Sequence, residues 1–450
     1  MASVTVSYAL DSSYRRHDHV VIAGSPLRLF RLSAKGRSVV EAIEHGESLP
    51  AGHAKLTDRL VDAGAIHPIP TESPFTAADV TVVVPAFNAL PGDAHPAVSE
   101  VIVVDDASDP ALVEHPGRRL IRLPTNRGPA AARNAGLALV TTPLVAFVDT
   151  DVDVDDGWLD ALLPHFADPR VALVAPRVTS SDGASMIAEY EVTRSPLDLG
   201  AEPGRIAPGS RIGYVPAAAL VARTAVLRSI GGFDESMRSG EDVDLVWRLL
   251  DAGHRCRYEP GGTVRHRPRA SVVAWLQQRM TYGRSAASLD RKHPGAVAPL
   301  RISGWSAAVW ALVAARRPIA ALAVAMGTTV ALRRKLQDLP VEEPVRLAGL
   351  GHLYAGRQVA GAITRAWWPV ALVVALLIRR SRPALIAVAT LPPLLDWAKG
   401  ARTRDPLRYI GLRVADDVAY GAGVWRGVID ERACGALAPK FTNWPGRAGG

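Results

Sequence analysis

The chain has 450 residues, 48% of them hydrophobic and 21% charged, with 38 Gly and 34 Pro. That composition excludes a disordered segment and a coiled coil, and the length asks for two or more domains. The net charge of +8 is uneven: residues 301–450 hold 21 Lys/Arg against 9 Asp/Glu, which leaves the first 300 slightly acidic.

Residues 1–70 read as a small α+β unit. Val4–Leu10 and His19–Leu32 have strand character, the latter turning at Ala23-Gly24-Ser25-Pro26. Ser33 is placed to cap a helix that carries Val39, Val40 and Ile43 and stops at Gly46. A second helix presents Leu56, Leu60 and Val61 before Gly64. The mixture suggests a winged-helix-like module, or simply a small packing domain. Eight Lys/Arg against seven Asp/Glu up to Pro70 are too balanced to neutralise phosphates, so nucleic acid is not the expected partner.

Residues 71–78 form a polar linker, after which strand, loop and helix alternate. Val80–Val84, Val101–Val104, Leu144–Val148 and Val171–Ala175 are β-branched runs of the kind buried in parallel sheets, and Pro129–Leu139 reads as a helix between two of them. Residues 79–300 are therefore expected to be a doubly wound, Rossmann-like α/β domain, with a ligand beyond the carboxyl ends of its strands.

Residues 301–450 contain apolar runs cut short by arginines. Ala307–Ala315 stops at Arg316-Arg317, Pro318–Leu332 at Arg333-Arg334-Lys335, and Ala366–Ile378 at Arg379-Arg380-Ser381-Arg382; Pro383–Trp397 follows. None reaches the roughly 20 apolar residues of a bilayer span, and Ala307–Leu332 comes nearest. Basic flanks, with Trp305, Trp310, Trp367, Trp368 and Trp397 near the run ends, fit interfacial helices or a re-entrant hairpin at the cytoplasmic membrane face. A soluble helical domain packed on the catalytic unit is the competing reading. Cys256 and Cys434 match neither metal-ligand nor redox spacing, and residues 1–7 lack a signal-peptide pattern, so a reducing cytosol is the expected surrounding.

The chemistry concentrates at strand ends. Asp105-Asp106 follow Val101–Val104, and Asp149-Thr150-Asp151 follow Leu144–Val148, where carboxylates can meet a base, a ribose and a divalent cation holding a diphosphate. The acidic run Asp149–Asp160 has the length of a calcium loop, but Val154 stands where that loop needs Gly and Asp160 where it needs Glu. Gly231-Gly232-Phe233-Asp234-Glu235 and Gly240-Glu241-Asp242 come next, the second opening an amphipathic helix, and His266 ends a further strand. Acidic residues at such a helix start are ordinarily caps. Glycines beside them allow a substrate to approach closely.

Residues 80–266 resemble the inverting family 2 glycosyltransferases of the GT-A fold. The motifs that carry the resemblance are Val84-Pro85-Ala86-Phe87-Asn88, Val104-Asp105-Asp106-Ala107-Ser108, Asn126-Arg127-Gly128 through Arg133-Asn134-Ala135-Gly136, Val148-Asp149-Thr150-Asp151, Gly231-Gly232-Phe233-Asp234 and Gly240-Glu241-Asp242. The resemblance implies a nucleotide-sugar donor bound by Pro85, Phe87, Asn88, Asp105, Asp106, Arg133 and Asp149, with Arg133 near the base that Asp105 holds. It implies Mn²⁺ or Mg²⁺ on Asp151 and His266, Asp242 as general base, and Glu241 on the acceptor side. Gln277-Gln278-Arg279-Met280 is similar to the Gln-x-x-Arg-Trp segment of processive members, with Met280 in place of Trp; Arg279 and Tyr282 would then also lie on the acceptor side. One departure is the sixteen-residue link Pro85–Glu100, broken by Pro91, Gly92 and Pro96 where the family has a full helix.

The whole order, a PqqD-like peptide-recognition module, a family 2 domain and an apolar C-terminal region, is similar to that of the glycosyltransferases of mycofactocin biosynthesis. This implies β-1,4-linked glucose units passed from UDP-glucose to a peptide-derived small molecule, with residues 1–70 contacting a peptide or a pathway protein. A cell-envelope glycosyltransferase acting on a lipid or polysaccharide is the alternative. A non-catalytic scaffold has no need of Asp151 and Asp242 together.

Overall fold

In the computed structural model, which describes residues 6–90, 92, 98–400 and 405–442, the chain opens with four short strands. These are β1 (Val6–Leu10), β2 (Arg15–His17), β3 (Val20–Ala23) and β4 (Arg28–Arg31), followed by helices α1 (Ala34–His45) and α2 (Ala54–Ala63) and a fifth strand, β5 (Ile66–Pro70). Val4 and Thr5 lie outside the described residues. Ser33 caps α1 by accepting from the Gly36 amide, and Gly46 ends it in the left-handed region, as the sequence predicts. β1 pairs antiparallel with β5, and β2, β3 and β4 make a second antiparallel sheet. Val39, Val40 and Ile43 of α1 meet Leu60 and Val61 of α2 over Val21 and Phe30 in one small apolar core.

Next in the chain come β6 (Val80–Ala86), β7 (Glu100–Asp105), β8 (Arg119–Arg122), α3 (Pro129–Leu139), β9 (Leu144–Val148), β10 (Val152–Val154), β11 (Val171–Ser180) and α4 (Met186–Arg194). They are followed by β12 (Gly204–Arg205), β13 (Ala219–Arg223), α5 (Thr224–Ser229), α6 (Glu241–Asp251) and β14 (Arg255–His266). One large sheet runs in the order β10-β14-β11-β13-β9-β6-β7-β8, with β12 added beside β14. β9, β6, β7 and β8 are parallel, but β13 enters antiparallel between β9 and β11. The sheet is thus mixed rather than the doubly wound parallel sheet expected. Sequence pattern could not show this, because β13 is as fully buried and apolar as its parallel neighbours. Residues 91 and 93–96 of the predicted Pro91–Pro96 interruption lie outside the described residues.

The first seventy residues dock on this sheet through charge. Arg255 at the start of β14 contacts Asp58 (3.2 Å) and Asp62 (2.6 Å) of α2 as well as Asp168 (2.7 Å), and Arg170 pairs with Asp58 at 2.5 Å. Each acid of α2 that points away from its own small core therefore finds a guanidinium on the larger sheet.

Contacts divide the chain into two compact units, residues 1–269 and 270–450. The second contains α7 (Val272–Lys292), β15 (Arg301–Ile302), α8 (Gly304–Ala314), α9 (Pro318–Lys335), α10 (Glu342–Arg365), α11 (Trp368–Leu377), α12 (Arg382–Gly400), α13 (Pro406–Glu431) and β16 (Lys440–Phe441). The predicted apolar runs become α8, α9, α11 and α12. Ala307–Leu332 is not continuous: the helix breaks at Arg316, which takes a left-handed φ of 59°. Among the described residues no single helix is long and apolar enough to cross a membrane, though α10 and α11, bent by 84°, pass that test as a pair.

α7 belongs to this unit because it lies backbone to backbone against α13. A Cβ on Gly283 would come within 1.9 Å of Tyr420 O, one on Gly423 within 2.0 Å of Met280 O, and one on Gly427 within 2.3 Å of Arg284 O. Side chains at these positions have no space, so the helices must separate to admit one. Gly427→Leu is expected to destabilise the second unit by about 3 kcal/mol or more. Thermal unfolding should register that loss, while an exposed-site control, Gly349→Leu, which meets nothing within 4 Å, should leave the melting temperature nearly unchanged.

Candidate active site

The carboxyl ends of β6, β7 and β9 hold the residues that the motifs single out. β6 and β7 run in register so that Ala86 stands beside Asp105. Asp105 is fully enclosed: its carboxylate accepts from the Ser108 amide (2.8 Å), the Leu112 amide (3.3 Å) and Arg122. It thereby fastens the loop after β7, and the outward surface beside it belongs to Phe87, half exposed, and Asn88. Burial alone would raise Asp105, but the hydrogen bonds from Ser108 and Leu112 and the charge of Arg122 bring it below the usual carboxylate range. Asn88 sits at a left-handed φ of 51°, with its amide on Ser108 Oγ and its Oδ1 accepting from Asp109.

Asp106 works on the next element. Its two oxygens accept from the amides of Arg127 and Gly128, each at 2.7 Å, which fixes the turn into α3. One turn later, α3 supplies Arg133, whose guanidinium is 4% exposed and donates to Asp149 (2.7 Å) and to Glu241 (2.7 Å). Arg133 therefore stands between Asp149 and Glu241. Glu241, expected toward the acceptor, is buried in this pair. The next residue, Asn134, grips Phe233 by accepting from its amide and donating to its carbonyl, both at 2.8 Å. Gly232 must be glycine here: its φ is +68°, and a Cβ would meet Asn134 Oδ1 at 2.4 Å. The Phe233 ring packs edge-on against Phe147 of β9, with Arg133 above it at 5.4 Å.

The antiparallel entry of β13 places Asp149 next to the chain that supports Asp242. The Asp149 amide donates to Ala218 O, and the Ala217 amide donates to Asp242 Oδ2 at 3.1 Å. Asp242 Oδ1 accepts from the Val243 amide at 2.8 Å. Burial, with the Glu241 charge adding to it, pushes Asp242 up to about 7, against the pull of these amides and of Arg133. On the other side of Asp149, Asp151 Oδ2 lies 3.4 Å from His266 Nε2 and 3.3 Å from Arg269. Burial would raise Asp151, but the hydrogen bond and charge of His266 and the charge of Arg269 lower it.

Residues 81–226 match the family model described as glycosyl transferase family 2. The pre-mycofactocin glycosyltransferase of Mycobacterium tuberculosis, in strains CDC 1551 / Oshkosh and ATCC 25618 / H37Rv, is 40% identical over 446 residues, 94% of this chain and 94% of its own. The chain belongs to glycosyl transferase family 2. Succinoglycan biosynthesis protein ExoO of Rhizobium meliloti (strain 1021) is 34% identical over 223 residues, 44% of this glycosyltransferase and 64% of its own length. Among solved structures, mannosyltransferase PcManGT from Pyrobaculum calidifontis in complex with GDP-Man and Mn2+ aligns at 15% identity, 80% of this chain and 91% of that one, with a TM-score of 0.39.

In this glycosyltransferase the residues expected to hold a cation meet as a pair. Asp151 and His266 bring an oxygen and a nitrogen close enough to share one ion, and His266 Nδ1 is buried without a partner among the described residues. Among the described residues no cluster of three or more His, Cys, Asp or Glu forms a metal cage. The donor set fits a cation that takes its remaining ligands from substrate phosphate oxygens and water, as Mg²⁺ commonly does. Arg279 and Tyr282, expected on the acceptor side, belong to α7. Arg279 is 2% exposed, paired with Asp416 at 3.1 Å and stacked between Trp275 and Tyr282, so it braces the second unit from within. Sequence reasoning passed over Asn134, Arg127 and Arg269. The first two lie inside a quoted motif, and Arg269 gave no signal before its contact with Asp151 was visible.

Asp106→Ala removes the acceptor for two backbone amides and is expected to cost about 2–4 kcal/mol. Chemical denaturation of the purified enzyme measures that cost, and a change confined to below 0.5 kcal/mol would mean that the α3 turn holds itself.

Proposed function

We propose that this glycosyltransferase passes glucose from UDP-glucose, in β-1,4-linked units and with inversion at the anomeric carbon, to premycofactocin, a peptide-derived redox cofactor. The observation that carries the proposal is the placement of Asp242. A half-buried carboxylate, oriented by two backbone amides and held near neutrality, stands across the β9–β13 junction from Asp149 and Asp151. The 40% identity to the pre-mycofactocin glycosyltransferases over nearly the whole length supports the acceptor. Asp149 contacts the ribose, and Phe87 and Asn88 offer an outward surface to the base. Asp242 takes the proton from the acceptor hydroxyl as its oxygen bonds to the anomeric carbon. The bond from that carbon to the diphosphate oxygen breaks on the opposite side and UDP departs. A divalent cation, Mn²⁺ or Mg²⁺, held by Asp151 and His266, would neutralise charge on the departing diphosphate.

The reading extends to location and to the first domain. Residues 301–450 are read as resting on the cytoplasmic face of the cell membrane. Supporting this, Ile319 (85%), Leu322 (62%) and Met326 (58%) on α9 and Leu376 (65%) and Leu377 (79%) on α11 are exposed. Arg316, Arg317, Arg334, Lys335, Arg379, Arg380 and Arg382 flank them on the surface. Residues 1–70 are read as a winged-helix-like, PqqD-like module that contacts a peptide or pathway protein. Its support is the open edge of β4, which pairs only with β3 among the described residues. The exposed apolar face also favours a second acceptor, an envelope lipid.

Mass spectrometry of UDP-glucose, Mn²⁺ and premycofactocin incubated with the enzyme should reveal successive hexose additions, and a product found only with lipid extract would replace the acceptor. Asp242→Asn should slow transfer by about a hundredfold to ten-thousandfold while UDP binding persists. The base works deprotonated, so transfer should rise with pH and reach half its plateau near pH 7, the value to which Asp242 is pushed; a rate already flat from pH 5.5 upward would exclude Asp242 as the base. Sedimentation with vesicles rich in anionic lipid should carry the protein down at low salt. Leu376→Asp with Leu377→Asp should release it, and equal pelleting of that variant would move the contact elsewhere.

A further inference from the structure

Two acidic residues from separate parts of the first unit converge on one guanidinium. Asp149 ends β9 and Glu241 begins α6; each accepts from a different terminal nitrogen of Arg133 at 2.7 Å. Both bonds are charge-assisted, and the arginine is held in place by the Phe233 ring beneath it and by α3, whose entry Asp106 fixes. We propose that Arg133 is the positioning residue that ties the donor-side carboxylate of Asp149 to the base-bearing start of α6, with Glu241 as its counter-anion instead of an acceptor contact. This rests on the assignment of Asp242 as the base.

The geometry gives the link two effects. It sets the spacing between the end of β9, where the donor is read to lie, and the first turn of α6, where the acceptor proton is taken. It also governs the charge beside Asp242. The groups that face that carboxylate are Glu241 on its own helix, Arg133 from α3 and the amides of Ala217 and Val243. Glu241 opposes the loss of the Asp242 proton and Arg133 favours it. With Arg133 in place its charge offsets part of the Glu241 effect; without it, that effect on the half-buried carboxylate goes less opposed.

The test compares Arg133→Met, Arg133→Lys and the double variant Arg133→Met/Glu241→Gln. One readout is UDP release from UDP-glucose with Mn²⁺ across pH. A second, which needs no substrate, follows the infrared carboxyl band of Asp242 across pH, assigned by its loss in Asp242→Asn. Arg133→Met should move both midpoints upward by about one pH unit, a roughly tenfold slower rate on the acid limb that recovers at high pH. The double variant should return the midpoints toward the original, and Arg133→Lys should fall between. Loss of rate by the same factor at every pH, with the Asp242 midpoint unmoved, would make Arg133 a mere packing residue and overturn the proposal. No UDP release by the unsubstituted enzyme, with the infrared midpoint still shifting, would remove UDP-glucose as donor and leave the Arg133 link standing.

Discussion

Holding the buried Glu241 beside the half-buried Asp149 would be costly if no cation stood between them. Arg133 meets that requirement with one planar group, and much of the first unit is arranged to deliver it. Asp106 fixes the start of α3, Asn134 pins the Gly-Gly-Phe-Asp segment by its backbone, and Phe233 fills the space between the guanidinium and β9. The four motifs that stand apart in the chain are thus one mechanical assembly. Their order in sequence follows the order in which β7, α3, β9 and α6 reach the same end of the sheet.

The strands β6, β7, β9 and β11 were legible as β-branched runs, and α3 was legible to the residue because Gly128-Pro129 starts it and the alanines sustain it. The helix from Ser33 to Gly46 was equally plain from its caps. The direction of β13 was not legible, since a strand buried on both faces reads the same either way. The target of Arg133 was hidden by distance: Glu241 lies 108 residues further along the chain, and nothing local to either residue announces the other. The turn of α3 carries Arg133 toward the end of β9. The partner of Arg279 was hidden in the same way: Asp416 lies on another helix, far along the chain.

The second unit follows a different rule. At the crossing of α7 and α13, glycines bring the two backbones together, and the charged groups Arg365, Arg413, Asp416 and Asp417 pair with one another beside that seam. Many large apolar side chains on α9, α11 and α12 stay exposed. A hydrophobic interior built in the ordinary way would have consumed them.

One detail of α3 bears on how the enzyme handles phosphate. In dinucleotide-binding folds the first helix after a strand offers its positive end to the pyrophosphate. Here the loop leading into that helix already carries a resident anion, the Asp106 carboxylate, held by the amides of Arg127 and Gly128. A diphosphate approaching along the helix axis would be repelled by it. On the proposed reading, the donor diphosphate would then be compensated from the β10–β14 side of the sheet, where His266, Arg267 and Arg269 gather around Asp151.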